Sequence, residues 1–280
     1  MPAMLTSRCL NCGSELQGRF CGQCGQRVMA AYPTLREMVG DAWHEFSGWD
    51  GRFARTLRML VHPGALTLEV LEGRRARYMS PLRLYLAASV MFFLIAAVAP
   101  SLRKPPVVDL PGGGRRIDIS GPLSPEDREL AQQLVDRGPW WARAMMQPMI
   151  DDPARQIQGF RATLPRALFV LLPVFAWIVA LFFRRRRFSQ HLVFALHLHA
   201  AAFVLLSLVQ PLNLTNNQTI VSIAGILTTV VLGVYALMAF RTVYREGWGW
   251  ILIKSAAIAP LYGLALALTM VANYLWVLLT

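Results

Sequence analysis

The chain has 280 residues, 55% of them hydrophobic and 16% charged, with a net charge of +12. An average soluble domain is about a quarter charged. The apolar residues here fall into runs too long for a globular core, so a bilayer is the solvent for about half of the chain. Nor does the positive charge make a nucleic-acid binder: all cations but Lys104 and Lys254 are Arg, and many bracket the apolar runs, as charges that orient membrane helices do.

The first element is a cysteine cluster. Cys9, Cys12, Cys21 and Cys24 form C-x2-C-x8-C-x2-C, within CLNCG and CGQCG. Two intervening residues aim both thiolates of a pair at one ion, and Gly13 and Gly25 let the backbone turn beneath the sulfurs. Four thiolates favour a tetrahedral, structural Zn2+. Iron competes for the same donors, and two disulfides are the reading for an oxidising compartment. A closed four-thiolate site has no open coordination position, so it folds a ribbon over residues 1–30 and does not catalyse. The opening residues MPAMLTSRCLNCG lack an apolar signal-peptide region, which leaves membrane targeting to the first span.

Residues 31–81 read as cytoplasmic amphipathic helices lying at the interface. Leu35, Met38, Val39, Ala42, Trp43 and Phe46 recur at helical spacing between Thr34 and Ser47. Phe53, Leu57 and Leu60 mark a second helix from Gly51 to Val61, ended by Pro63–Gly64, and a third runs from Ala65 to Glu72. Arg74, Arg75, Arg77 and Arg83 follow directly before the first span. They serve either as topogenic charge or as a site for anionic lipid headgroups, where each cation contributes about 1 kcal/mol.

Five apolar spans follow: Leu82–Ala99, Ala167–Phe183, Leu192–Val209, Ile220–Phe240 and Ser255–Leu279. Each is close to the ~20 residues that cross ~30 Å of hydrocarbon as a helix. The first occupies 82–100 and the other four 167–280, with Pro173 and Pro260 expected to kink their helices. Between them, 101–166 forms an external segment. Its start, with PP and GGG, reads as a flexible strap over 101–116. Ser124, Pro125 and Asp127 then open a capped helix that reaches Gly138, and Asp152–Pro153 opens another. Trp140, Trp141, Met145, Met146 and Met149 read as an apolar interfacial face, with packing favoured over copper binding.

His191 lies at the cytoplasmic edge of the third span, and His197 and His199 lie inside it. Ionisable residues at bilayer depth suggest function. Their spacing forbids a shared ion on this helix alone: His197 and His199 face about 200° apart, and His191 and His199 stand about 12 Å apart along the axis. A shared site needs partners such as Asn273, Tyr235 or Tyr262. Interhelical hydrogen bonding and a proton or substrate relay are the two readings.

Charge sets the orientation. Residues 1–83 carry eleven basic and seven acidic side chains, Arg184 to Arg187 add four cations, and Arg241, Arg245, Glu246 and Lys254 add two net. Those segments together hold +10, against +2 for 101–166 and the uncharged QPLNLTNNQT link. The N-terminus is therefore expected in the cytoplasm and the C-terminus outside.

The ribbon, the stretch FSGWDGRFARTLRMLVHPGALTLEVLEGRRARYMSPLRLYL and the later HLVFALHLHAAAFVLL together resemble the bacterial domain-of-unknown-function (3667) membrane family. The most specific parts are VHPG…EGRRARYMSP and H…HLH. This resemblance implies a zinc-ribbon membrane protein and carries no activity to any residue. No Gly-rich phosphate loop, H-E-x-x-H helix or Gly-x-Ser-x-Gly elbow gives a basis for naming an enzyme. The expected fold is all-α: a five-helix transmembrane bundle of the bacterial inner membrane with an N-terminal cytoplasmic zinc ribbon and amphipathic interfacial helices. The expected role is a non-catalytic scaffold or assembly factor that meets anionic lipids and docks a protein partner on the cytoplasmic side through ribbon and belt. The alternative is a transporter or lipid-handling protein working through the histidines.

Overall fold

Helical periodicity and apolar runs become helices wherever the computed structural model describes the chain, at residues 8–18, 20–27, 52–98, 107–109, 116–118, 123–215 and 217–279. The helix expected from Thr34 to Ser47 lies outside the described residues. Two short helices open the membrane-proximal part, α1 (Arg52–Leu60) and α2 (Ala65–Leu71), separated at Pro63–Gly64 as the sequence predicts. The first span, α3 (Pro81–Val98), starts on a proline whose missing N–H and fixed φ suit the first helical position.

The stretch expected to be a strap contains an antiparallel pair, β1 (Val107–Asp109) with β2 (Arg116–Asp118), Val108 facing Ile117. At 107–109 and 116 this corrects the reading of a flexible strap; the rest of 101–116 lies outside the described residues. The β-branched residues on either side of GGG are a hairpin signal that the prolines and glycines masked.

On the same segment, α4 (Pro125–Asp136) is capped by Ser124, whose hydroxyl accepts from the Asp127 N–H at 3.2 Å. α5 (Trp140–Asp151) follows after one tight turn. The start at Asp152–Pro153 belongs to the second span itself. Asp152 Oδ1 accepts from the Arg155 N–H at 3.0 Å, and α6 (Pro153–Phe182) then runs 30 residues without a break. Such a helix is roughly 45 Å long, so its first turns extend beyond the hydrocarbon.

The remaining spans are α7 (Phe188–Val209), α8 (Gln218–Tyr244) and α9 (Trp248–Leu279). Asn217 caps α8 through its side-chain oxygen, and α8 ends at Arg245 in the left-handed conformation, φ 55°. With α3 and α6 these make five helices long and apolar enough to cross a membrane. The chain is an all-α, multi-pass membrane protein.

The chain divides into two compact units, Met1–Ala96 with Leu172–Gly263, and Ala97–Leu171 with Leu264–Thr280. In the first, α7 is the most enclosed span: 44% of its apolar window is buried, against 11% for α8. Phe194 on α7 meets Phe240 at 4.8 Å, and Phe183 stacks on Tyr244 at 4.0 Å between ring centroids. Meanwhile Ile223, Ile226, Val230, Val231 and Val234 of α8 stay exposed, as lipid-facing residues do.

In the second unit, α4 and α5 form a helical hairpin. Gln132 and Gln147 exchange two hydrogen bonds of 3.0 Å across it, and Val135 and Ile150 are buried. Tyr274 of α9 donates to the Met145 carbonyl, and Val277 fills the space beside Gly159.

Candidate metal centre and its membrane anchor

Each half of the ribbon repeats one turn. The Gly13 N–H donates to the Cys9 carbonyl at 2.8 Å, and the Gly25 N–H to the Cys21 carbonyl at 2.9 Å. The Cys9 N–H then closes onto the Ser14 carbonyl, and the Cys21 N–H onto that of Gln26. Gly13 and Gly25 take φ of 78° and 71°, as expected beneath paired thiolates. Backbone bridges, Arg8 with Glu15 and Phe20 with Arg27, brace the two turns.

The turns bring all four sulfurs within 4.8 Å of one another. Cys9 Sγ stands 3.6 Å from Cys24 Sγ, and Cys12 Sγ 3.5 Å from Cys21 Sγ. Tetrahedral sulfurs bonded to one ion at about 2.3 Å are roughly 3.8 Å apart, so the arrangement fits a metal held by four thiolates. All four cysteines are unpaired thiols, two of them buried.

Ser14, which sequence reasoning passed over, lies 3.0 Å from the sulfurs of both Cys12 and Cys21. Its hydroxyl holds the Cys21 thiol down to about 6 and lowers that of Cys12, favouring the thiolate. Burial pushes the Cys9 thiol up to about 11. A metal removes that penalty by replacing the proton.

Gln26 occupies in the second turn the place of Ser14 in the first, and its side chain points away from the sulfurs. Its amide nitrogen donates to the Gly73 carbonyl at 2.8 Å. Its oxygen accepts from the N–H groups of Arg75 at 3.2 Å and Ala76 at 3.1 Å. Leu10 packs on the same turn: a Cβ on Gly73, whose φ is 88°, would sit 2.6 Å from Leu10 Cδ1. A side chain there would be strained at that φ and would displace Leu10, so the ribbon is keyed to the turn that follows α2.

From that turn α2 passes between α7 and α8. Thr67 Oγ1 is 3.0 Å from Nδ1 of His197, nine residues into α7, and Tyr235, nine residues before the end of α8, donates to the Leu60 carbonyl at 2.7 Å. Nine helical residues span about 13 Å, so Thr67 of α2 meets α7 well inside that span, while the start of α2 stands beside the last turns of α8. At Gly64, φ 78°, a Cβ would meet Thr242 Cβ at 2.9 Å and the Ala239 carbonyl at 3.0 Å. Leu66 and Thr67 are 1% exposed. The apolar stripe that the sequence directs to the interface is thus turned onto protein, while Arg55 and Arg58 on its far side stay exposed.

The four arginines before α3 divide. Arg74 is held by Glu69, through Nε at 2.8 Å and a terminal nitrogen at 2.6 Å, and by Glu72. Those hydrogen bonds keep the Glu69 carboxyl below its usual range and raise Arg74. Arg75 donates to the Val70 carbonyl at 3.2 Å, Arg77 is exposed, and Arg83 is half-buried. Of the later run, Arg184, Arg185 and Arg187 are exposed, whereas Arg186 turns in and donates to the Val243 carbonyl at 2.6 Å.

The three histidines are not brought together. His191 Nδ1 meets the Tyr244 hydroxyl of α8 at 2.8 Å, His197 meets Thr67 of α2, and His199 Nε2 meets the Tyr262 hydroxyl of α9 at 2.7 Å. His199 Nδ1 donates to the Ala195 carbonyl at 2.8 Å, which leaves Nε2 of the neutral ring to accept from Tyr262. One helix thereby bonds to three others through three histidines. Of the partners named from sequence, Tyr262 takes a histidine, Tyr235 takes the Leu60 carbonyl, and Asn273 lies 3.5 Å from the Phe160 carbonyl.

Residues 50–93 match the family model described as Protein of unknown function (DUF3667). The matched stretch covers α1, α2, the keyed turn and most of α3, and includes the VHPG…EGRRARYMSP run. Comparison with curated proteins and with solved structures found no match.

Proposed function

We propose that the chain is a non-catalytic scaffold of the bacterial inner membrane, in which a zinc ribbon held rigidly on the cytoplasmic face docks a protein partner. The observation that carries this reading is the Gln26 amide bound to three backbone groups of the turn at 73–76, beside a closed set of four thiolates. A metal with four protein ligands lends rigidity and no chemistry. The ribbon keeps Phe20 exposed at 61% as a contact residue. Cytoplasmic placement of the N-terminus and external placement of the C-terminus rest on the charge bias. Anionic lipid headgroups are assigned to the exposed arginines at that edge, Arg77 with Arg184 and Arg185, because Arg74 is engaged by two carboxylates.

Transport through the histidines has less support, since a relay requires groups in sequence along a path and each histidine bonds to a different helix. The test combines elemental analysis with crosslinking. Purified full-length protein is expected to hold one zinc per chain, and a photo-crosslinker at Phe20 to trap a protein in cells that Cys21→Ser no longer traps. A metal-free chain, or loss of cellular function on His199→Ala with Cys21→Ser harmless, would remove the scaffold reading.

A further inference from the structure

The ribbon and the membrane helices are joined by an unbroken set of contacts, and we propose that metal occupancy of the ribbon controls how firmly α2 is held between α7 and α8. The proposal rests on the reading that the four thiolates carry a metal. It adds a consequence that a merely rigid docking module does not need.

The links run in order. Cys21 is a ligand position, and its N–H fixes the backbone of Gln26 through the carbonyl at 2.8 Å. Only with that backbone in place does the Gln26 side chain reach Gly73, Arg75 and Ala76. The turn is tied back to α2 by the Arg74 N–H to the Glu69 carbonyl at 2.9 Å and by the Arg74–Glu69 ion pair. Two residues before Glu69, Thr67 holds His197 inside the bundle. A small cysteine ribbon has too little core to fold without its ion. Metal loss therefore releases the Gln26 amide, takes from the Ala76 N–H its acceptor and from the Arg75 N–H one of two, the other being the Gly73 carbonyl at 3.1 Å, and frees the C-terminal end of α2.

Thr67 and His197 make the far end responsive. Among the described residues His197 Nε2 is buried without a hydrogen bond, so Thr67 at Nδ1 makes the ring's one hydrogen bond. α2 has only seven residues, held by the buried side chains of Leu66, Thr67 and Val70 and by the close approach at Gly64, and so short an element loosens as a unit when its other end is released. Coupling is reciprocal: if metal tightens α2, then the contacts of α2 in the membrane tighten the metal by the same factor.

Hydrogen exchange on the full-length protein in lipid nanodiscs tests this. After removal of zinc by a chelator, amides of residues 60–76 are expected to exchange about tenfold faster, within the usual range for coupled sites, while residues 172–182 of α6 do not change. Gln26→Ala, which touches no sulfur, should speed exchange at 60–76 while the protein retains its zinc. From the other end, His197→Ala should weaken zinc in chelator competition by about the same factor, and His197→Gln should recover part of the loss. Equal exchange with and without zinc in a protein that binds it, or full protection at 60–76 in Gln26→Ala, overturns the coupling and leaves the zinc reading intact. A chain isolated without metal and already protected at 60–76 overturns both.

Discussion

The segments on either side of the first span have similar compositions and opposite fates. Residues 52–80 and 123–152 both carry short helices with apolar stripes and charged backs, and both suit an interface. In the first, Thr56 and Thr67 lie on the buried face at 0% and 1% exposure, and each hydroxyl has a named partner. Thr56 accepts from the Met79 N–H at 2.9 Å, and Thr67 meets His197. In the second, Trp140, Trp141 and Met146 are 80%, 56% and 52% exposed. A hydroxyl on an apolar stripe is costly against hydrocarbon and useful against protein. Threonine within the stripe therefore separates an inserted helix from one left at the surface better than the strength of the stripe does.

The sharpest way to break that contrast is steric. Gly64→Ala places a methyl 2.9 Å from Thr242 and 3.0 Å from a backbone carbonyl, at φ 78°. Strain and overpacking together cost about 3–5 kcal/mol, and the folded, monodisperse fraction on size-exclusion chromatography should collapse. The matched change in the second segment, Gly138→Ala, has ordinary φ and a single close neighbour, the Val135 carbonyl at 3.1 Å, and should cost about 1 kcal/mol. Comparable losses at both sites would mean that α2 is no more enclosed than the α4–α5 turn.

A smaller effect comes from chemistry at constant volume. Thr67→Val deletes a hydroxyl and leaves His197 with neither ring nitrogen partnered, at a cost of about 1–3 kcal/mol. Breaking the Gln132–Gln147 pair by Gln132→Ala leaves groups that water can reach and should cost about 1 kcal/mol or less. Melting temperatures in one detergent compare the two. A Thr67→Val protein that melts with the wild type would place α2 at the surface.

These contacts also mark how far sequence reasoning reaches. The five spans, the Ser124 cap, the break at Pro63–Gly64 and the four-cysteine set were all legible, because each depends on residues within a few turns of one another. Gln26 with Gly73, Thr67 with His197 and His191 with Tyr244 were not. They join residues 47, 130 and 53 positions apart, and no local period connects them. Hints existed all the same: Gln26 stands where the first turn has Ser14, and Thr67 interrupts an apolar stripe. The pairing of 107–109 with 116–118 was hidden for another reason, since the glycines and prolines around it signal a linker.

Acid distinguishes the two regions most gently. Glu69 is held below its usual value chiefly by its hydrogen bonds to Arg74, so its folded form binds a proton less readily than its unfolded form. The pair therefore stabilises α2 fully above the ordinary value of 4.5, and that contribution fades as pH falls below it through the lowered value. Because Glu69 and Arg74 are 21% and 34% exposed, solvent screening keeps the contribution at about 1 kcal/mol or less. Other carboxylates titrate over the same range, so the informative quantity is the difference in melting temperature between wild type and Glu69→Gln. It should be present at pH 7 and shrink as the pH falls below 4.5. The Gln132–Gln147 pair of the second segment consists of two amides with nothing to titrate, so the difference between wild type and Gln132→Ala should stay flat over the same range. A Glu69→Gln difference that is equally flat would show that Arg74 does not hold the carboxylate, and that the turn keyed by Gln26 is tied to α2 through its backbone and Arg75.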